Sequence, residues 1–266
     1  MLSYQHIFHA GNLADVQKHA VLATALDYLT QKPKPLTYIE THAGRGLYHL
    51  DAAEALKTGE AAQGIERFAH WFQPDHPYAR AIAQVQRGFG QSAYPGSPAV
   101  AASLLRPEDR MQLAELHPQE HAALERNLAG NPLGDMPKVT THKRDGFEMA
   151  QAICPPDPRR GLMLIDPSYE IKTDYDTIPK TIQQLHRKWN VGVILLWYPI
   201  LTSGAHHAML GALEAANLPD TTRFEVAFPP ARKGHGMVGS GLFMVNTPYG
   251  LSGEIARLTK LFKTLA

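Results

Sequence analysis

Residues 162–170, LMLIDPSYE, end an aliphatic run in an acid, a proline and an aromatic ring. That trio suits chemistry on a nucleobase. An exocyclic amine is a poor nucleophile because its lone pair is delocalised into the ring. A carboxylate at Asp166 accepting one N–H, with the carbonyl fixed by Pro167 accepting the other, would draw the nitrogen towards tetrahedral geometry. Tyr169 would stack on the base, which must leave its helix to be reached this way. The plainer alternative is a strand-to-loop turn that uses Asp and Pro as turn formers.

Three other strand-like runs end in comparable residues. YIETHAGRGLY sets Gly44 and Gly46 directly after a strand, where a backbone turn can approach a ligand. A simple tight turn explains A-G-x-G equally well. LAELHP ends in Glu115, able to accept bonds from both hydroxyls of a ribose, or merely solvated. HKRDGF brings Asp145, which can accept from an adenine amino group or cap a helix beginning near Gly146. Four such signals in order on successive strand ends favour a ligand site over unrelated turns.

A sheet must carry these groups. Strand-like runs occupy 36–40, 111–116, 138–142, 162–166 and 191–198, then 222–228 and 241–246. Helix-like stretches fall at 119–128, 146–153, 174–188 and 206–216. Alternation of this kind predicts parallel strands with crossover helices. The continuous apolar character of GLMLIDP and VGVILLWYP suits central strands buried on both faces. Only PPARKGHGMVGS separates the last two runs, too short and Gly-rich for a crossover helix, so an antiparallel hairpin should close the sheet. The predicted fold is α/β, a class I S-adenosylmethionine-dependent methyltransferase (Rossmann-like) sheet with a C-terminal antiparallel hairpin. It forms one domain over 1–266, interrupted at 50–93 by a small helical insertion without a strand. GNLADVQKHAVLATALDYLTQK reads as one helix, capped by Asn12 and ended before Pro33.

Composition narrows the choice by exclusion. The chain has 266 residues, enough for one full core, with 26 Lys+Arg against 25 Asp+Glu. Such a balance does not announce a nucleic-acid binder, although the field near a cleft matters more than the total. The lone Cys154 excludes a disulfide framework and a cysteine zinc site. The 14 histidines form no metal-ligand spacing, and His9, Asp15 and His19 read as substrate or cofactor contacts, with no metal expected. No leader or bilayer-length apolar run is present, so a soluble cytoplasmic protein without a membrane partner is expected. The G-x-G-x-x-G, G-x-S-x-G and G-x-x-x-x-G-K-[ST] patterns are all missing, which argues against a dinucleotide dehydrogenase, an α/β-hydrolase and a P-loop NTPase.

The motifs MLSYQHIFHAGNLADVQKH, THAGRG, YPGSP, ELHP, RDGF, LIDPSYE, LWYP and VNTPY together resemble the bacterial ribosomal large subunit methyltransferase J family, from Met1 to at least Tyr249. That family transfers a methyl group from S-adenosylmethionine to N6 of one adenine in 23S ribosomal RNA. The resemblance implies S-adenosylmethionine as cofactor and 23S ribosomal RNA as partner. It implies a cofactor site of His19, His42, Ser97, Glu115, Asp145 and Gly146, reaching Asp166. His42 and the turn at Gly44 and Gly46 would face the methionine part, Glu115 the ribose and Asp145 the adenine. Ser97, at a helix start, would offer backbone N–H groups to a carboxylate or hydroxyl. Asp166 would be the catalytic carboxylate, with Pro167 and Tyr169 completing the base pocket. The family pattern is Asp-Pro-Pro-Tyr, and Ser168 departs from it. Nothing in the chemistry above uses that side chain, so a slightly looser loop with retained activity is expected.

Upstream of the first strand, Tyr4, His6, His9 and Lys18 combine aromatic and basic groups suited to RNA or target-base contact. A helix packed on the sheet with a frayed lead is the alternative. Arg232, Lys233 and His235 offer a second RNA surface or solvated loop charge, whereas Trp71 and Phe72 read as core. Two other functions compete. A DNA adenine-N6 methyltransferase shares the Asp-Pro-x-Tyr chemistry but usually needs a larger target-recognition domain. A non-catalytic RNA-binding protein with a methyltransferase fold has no need of Asp166 and Tyr169. No feature demands a protein partner, and a monomer is expected.

Overall fold

The structure, a computed structural model, describes residues 4–232, 234 and 236–265. Asn12 sets the first long element: its side chain accepts the Asp15 backbone N–H at 2.9 Å and caps α1 (Leu13–Thr30), as the sequence predicts. This helix is buried on more than its aliphatic face, with Asp15, Gln17, Lys18 and His19 all enclosed. Buried polar groups need partners. Gln17 finds one far along the chain, donating to the Phe224 carbonyl at 3.3 Å.

Then come β1 (Thr37–Glu40) and β2 (Leu47–His49), followed by four short helices: α2 (Ala53–Thr58), α3 (Glu60–Gln63), α4 (Ile65–Phe68) and α5 (Pro77–Phe89). After β3 (Ala93–Pro95) and α6 (Ser97–Leu104), strands and helices alternate. They are β4 (Arg110–Ala114), α7 (Pro118–Leu128), β5 (Lys138–His142), α8 (Gly146–Ile153), β6 (Gly161–Ile165), α9 (Asp174–Lys188), β7 (Val193–Leu201) and α10 (His206–Ala215). The chain closes with β8 (Thr222–Ala227), β9 (Met237–Val245) and α11 (Leu251–Phe262).

One seven-stranded sheet runs in the order β5-β4-β1-β6-β7-β9-β8. The first five strands are mutually parallel, and β9 lies antiparallel between β7 and β8. This is the class I methyltransferase sheet with its closing hairpin. All residues of β1 and β6 are buried, which is why their sequences lack alternation. The order reverses at β1, with β4 on one side and β6 on the other, and a crevice at such a point is where open α/β sheets bind ligands.

Three details differ from the sequence reading. β7 continues past 198, because residues 199–201 keep pairing with β9 despite the missing N–H of Pro199. β2 and β3 pair antiparallel, with Tyr48 opposite Tyr94, and bracket the helical segment at 50–93. Each has three residues, too few to show a period. The third is α11, which packs on α1 and β8. Within the bracketed segment Phe72 is buried and the Trp71 ring meets Phe262 edge-on at 5.2 Å, so both belong to the core. Gly64 anchors this segment to the N-terminal stretch: a Cβ there would sit 2.1 Å from the Gly11 carbonyl oxygen, which accepts the Ile65 N–H at 2.8 Å.

Candidate active site

A cavity of about 420 Å³ opens at the carboxyl ends of β1, β4, β6 and β7, with the turn after β5 completing its wall. Of the residues expected to catalyse or to hold the cofactor or the target base, all but Gly46 line it. Gly46 instead shapes the turn. At φ +72° it directs its carbonyl to the Gly96 N–H at 2.9 Å, and a Cβ there would press on Leu124. Gly46, expected beside the methionine part of the cofactor, belongs to the turn that carries Gly44 and does not itself line the cavity.

Asp166 leaves the end of β6 with its Oδ2 only 2.6 Å from the Lys18 ammonium. Lys18 also pairs with a second carboxylate, Asp15 Oδ1 at 3.0 Å, and is 4 % exposed. Burial works against its charge, but Asp166 and Asp15 outweigh that and raise its pKa. Lys18 therefore faces the site from beneath, through Asp166, and is no phosphate contact on an open surface.

Asp15, expected from the sequence as a substrate or cofactor contact, lines the cavity and is also a hub of ion pairs and hydrogen bonds. Burial would lift its pKa, yet His6, Lys18 and His19 together hold it well below the ordinary range. Its Oδ2 accepts from His6 Nε2 at 2.8 Å and from the Gly11 N–H at 2.9 Å. The Tyr4 hydroxyl bonds His6 Nδ1 at 2.8 Å, and its ring stacks on His9 at 5.5 Å. His9 turns away from Asp15 to Glu60 at 2.8 Å. The Tyr4 N–H donates to Glu170 at 3.1 Å, tying the N-terminal stretch to the loop that follows Tyr169. A bonded chain thus links the cavity mouth to Asp166.

Tyr169 adopts φ +57°, an uncommon conformation for an aromatic residue. Its hydroxyl donates to the Trp197 carbonyl at 2.7 Å, and its ring packs on Tyr175 at 4.8 Å. Anchored at its hydroxyl and backed by Tyr175, the ring is a fixed wall of the cavity. Trp197 supplies another wall, held by its Nε1–H to Ser240 Oγ at 2.8 Å. The sequence reading did not single it out, although it stands in LWYP at the end of a fully apolar strand.

The opposite side is built around Glu115, whose oxygens accept the Gly44 N–H at 2.8 Å and the His117 N–H at 2.7 Å. Burial raises its pKa, and those backbone bonds pull it partly back. His42 is fixed by Thr41 Oγ1 at 2.8 Å and meets Phe147 edge-on. Burial pushes its pKa down to about 4, and that of His19 to about 3. Both rings are consequently neutral at pH 7. His19 is held by the Tyr94 hydroxyl at 3.0 Å. Asp145 does cap its helix, accepting the Glu148 N–H at 2.9 Å, while also facing the cavity. Gly146 has no room for a side chain, since a Cβ would fall 1.8 Å from the Thr41 carbonyl oxygen.

Ser97 opens α6, and its hydroxyl donates to Glu40, a residue the sequence reading passed over. Glu40 is fully buried at the end of β1 and also accepts from the Tyr38 hydroxyl at 2.7 Å. Burial pushes its pKa to about 8; bonds from Ser97 and Tyr38 pull against that, and the Asp166 charge adds to it. An acid ending a buried strand directly before THAGRG was the available signal. Of the basic loop, Arg232 is exposed, whereas Lys233 and His235 lie outside the described residues. Gly236 and Met237, just beyond, reach the cavity.

Comparison with known proteins shows the family of the chain. Residues 33–265 match the family model described as ribosomal RNA large subunit methyltransferase D, RlmJ. The ribosomal RNA large subunit methyltransferase J of Escherichia coli (strain K12) is 38% identical over 260 residues, covering 96% of this chain and 90% of that protein. Its counterpart from Haemophilus influenzae is 39% identical over 272 residues, covering 100% and 94%. A crystal structure of a protein from Legionella pneumophila str. Philadelphia 1 superposes with a TM-score of 0.85 at 35% identity, covering 97% of this chain and 94% of that one. The chain belongs to the ribosomal RNA large subunit methyltransferase D, RlmJ, family.

Proposed function

We propose that this protein methylates N6 of an adenine in 23S ribosomal RNA, with S-adenosylmethionine as methyl donor. The observation that carries the reading is Asp166 at the end of β6, ion-paired to buried Lys18 and flanked by Pro167 and the anchored ring of Tyr169. The relatives' names supply the RNA class, and the site supplies the chemistry.

The cavity fits the donor on its own terms. Glu115 stands beside the turn at Gly44 with its oxygens oriented by two backbone N–H groups, leaving lone pairs for the ribose hydroxyls. The close contact of Gly146 with Thr41 makes a cradle that a Cβ would fill, and Asp145 borders it where the adenine amino group would lie. His42, His19 and Ser97 complete that side, with both rings uncharged and so not repelling a sulfonium. When bound, S-adenosylmethionine supplies an electrophilic methyl group.

The chain's own residues prepare the nucleophile. Asp166 accepts one N6–H and the Pro167 carbonyl the other, so the nitrogen lone pair is turned out of conjugation. Tyr169 stacks on the flipped base. Lys18 fixes the rotamer of Asp166 and leaves Oδ1 to receive the amine, and Tyr4 and His6 contact the target nucleotide at the mouth. The methylated amine is acidic enough to lose its proton to water, so positioning and electrostatic stabilisation suffice. Incubation with S-adenosylmethionine and protein-free 23S RNA or duplex DNA, followed by mapping of methylated adenine, tests the reading. Methylation of RNA at N6 is expected, and methylation of DNA alone overturns it.

A further inference from the structure

Among the described residues, six large hydrophobic side chains stand exposed: Tyr4, Leu56, Leu116, Ile171, Val191 and Tyr249. Three of them, Tyr4, Leu116 and Ile171, line the one cavity that holds Asp166. Scattered singly, such side chains need no explanation; gathered at the rim of a cleft, they mark where another molecule sits. Tyr4 already meets the target nucleotide in the mechanism above, and Leu116 directly follows Glu115 on the donor side. Ile171 has no such task.

Ile171 is 49 % exposed and joins neither hydrophobic core, although Tyr169, two residues earlier, belongs to the core cluster of Ile165 and Leu196. Its backbone is nonetheless fixed on both sides. The Glu170 carboxylate accepts the Tyr4 N–H at 3.1 Å, and the Ile171 carbonyl accepts the Asp174 N–H at 2.9 Å where α9 begins. Lys172, exposed beside it, adds a positive charge. An apolar side chain held at a cavity mouth next to a cation suits a nucleic acid, whose bases offer apolar faces and whose backbone is anionic. Two residues span at most about 7 Å, so Ile171 stands beside whatever Tyr169 stacks on.

Extruding the target adenine unstacks it and leaves a face of each neighbouring base bare. Apolar side chains set against such a face replace the lost stacking. We propose that Ile171 packs on a base adjacent to the target adenine in the RNA strand, in the place the extruded adenine leaves, with Lys172 at the neighbouring phosphate. The inference rests on the RNA-methylation reading above and names the part of the RNA that the rim holds. Ile171 touches neither the reacting amine nor the donor, so its effect belongs in RNA affinity and not in donor affinity.

Fluorescence anisotropy with an end-labelled RNA fragment spanning the methylated adenine, in the presence of S-adenosylhomocysteine, tests this without turnover. Two further fragments lack the base on the 5′ or the 3′ side of that adenine. Ile171→Ser removes the apolar surface and Ile171→Leu keeps it; because Ile171 joins neither core, both variants should melt as the wild type does. Covering the exposed half of an isoleucine is worth roughly 3- to 10-fold in affinity. Ile171→Ser should weaken the intact RNA by about that factor and Ile171→Leu should not, with S-adenosylhomocysteine affinity unchanged in both. For one of the two abasic fragments, Ile171→Ser and the wild type should bind alike. Equal weakening of all three RNAs by Ile171→Ser, or weakening of none, overturns the proposal and leaves the methylation reading standing. Absence of adenine methylation by the unaltered protein overturns that reading and the proposal with it.

Discussion

At the scale of single residues, the Lys18–Asp166 pair connects a buried helix to the reacting end of β6. With 2.6 Å between them and 4 % exposure at Lys18, the pair fixes where the carboxylate points. Asp166→Asn keeps the shape and removes the charge. It should lower methyl transfer by about 10²- to 10⁴-fold, with S-adenosylhomocysteine affinity changed far less, read by single-turnover assay and calorimetry. Lys18→Gln should lower turnover by at least about tenfold, since a neutral amide holds Asp166 less firmly than an ion pair. Glu40 gives a different signature. Its folded pKa of about 8 lies above the ordinary 4.5, so the folded state binds the proton more tightly than the unfolded chain does. Its contribution is whole below about 4.5 and is lost as pH rises, levelling off once the folded group ionises at about 8. Glu40→Gln mimics the protonated form. Thermal melts should show the variant gaining on the wild type between those values, by an amount on the order of a few kcal/mol. A constant difference across that range would refute the raised pKa.

At the scale of elements, α8 meets the loop after β1 so closely that Gly146 has no substitute. Gly146→Ala would drive a methyl into the Thr41 carbonyl, and backbone must move to relieve it. It should cost about 1–3 kcal/mol of stability and weaken S-adenosylhomocysteine at least about tenfold. A melt and a titration check both. The strand end carrying Asp166 was legible because burial on both faces writes itself as unbroken aliphatic sequence, whereas Glu115 and Asp145 follow the partly exposed β4 and β5 and were legible from their place in the strand–helix alternation. Glu40 follows the same grammar and was overlooked beside the more conspicuous glycines. α1 is legible with its cap, and Lys18 as a candidate RNA or target-base contact, but the enclosure of Asp15, Gln17 and Lys18 is not. Gln17 and Lys18 find their partners far along the chain, at Phe224 and Asp166. Contacts between residues tens of positions apart leave no local pattern, and neither do three-residue strands such as β2 and β3.

At the scale of the molecule, the sheet order gathers the ends of five parallel strands at one rim and leaves the antiparallel pair β9 and β8 to complete the far side. The N-terminal stretch crosses that rim and is joined on one flank to Glu170 and on the other to Glu60. The hairpin was legible from a loop too short for a crossover. The walls that Trp197 and Tyr169 build were not, because they depend on which way each ring turns. All of this geometry converges on one reacting position beside Asp166, and the most direct test is the atom that becomes methylated. Protein-free 23S RNA, incubated with isotopically labelled S-adenosylmethionine and digested to nucleosides, should carry the label on N6 of adenosine. The Asp166→Asn variant should leave the RNA unlabelled. Label on another base or atom, or label unaffected by that substitution, would contradict the account.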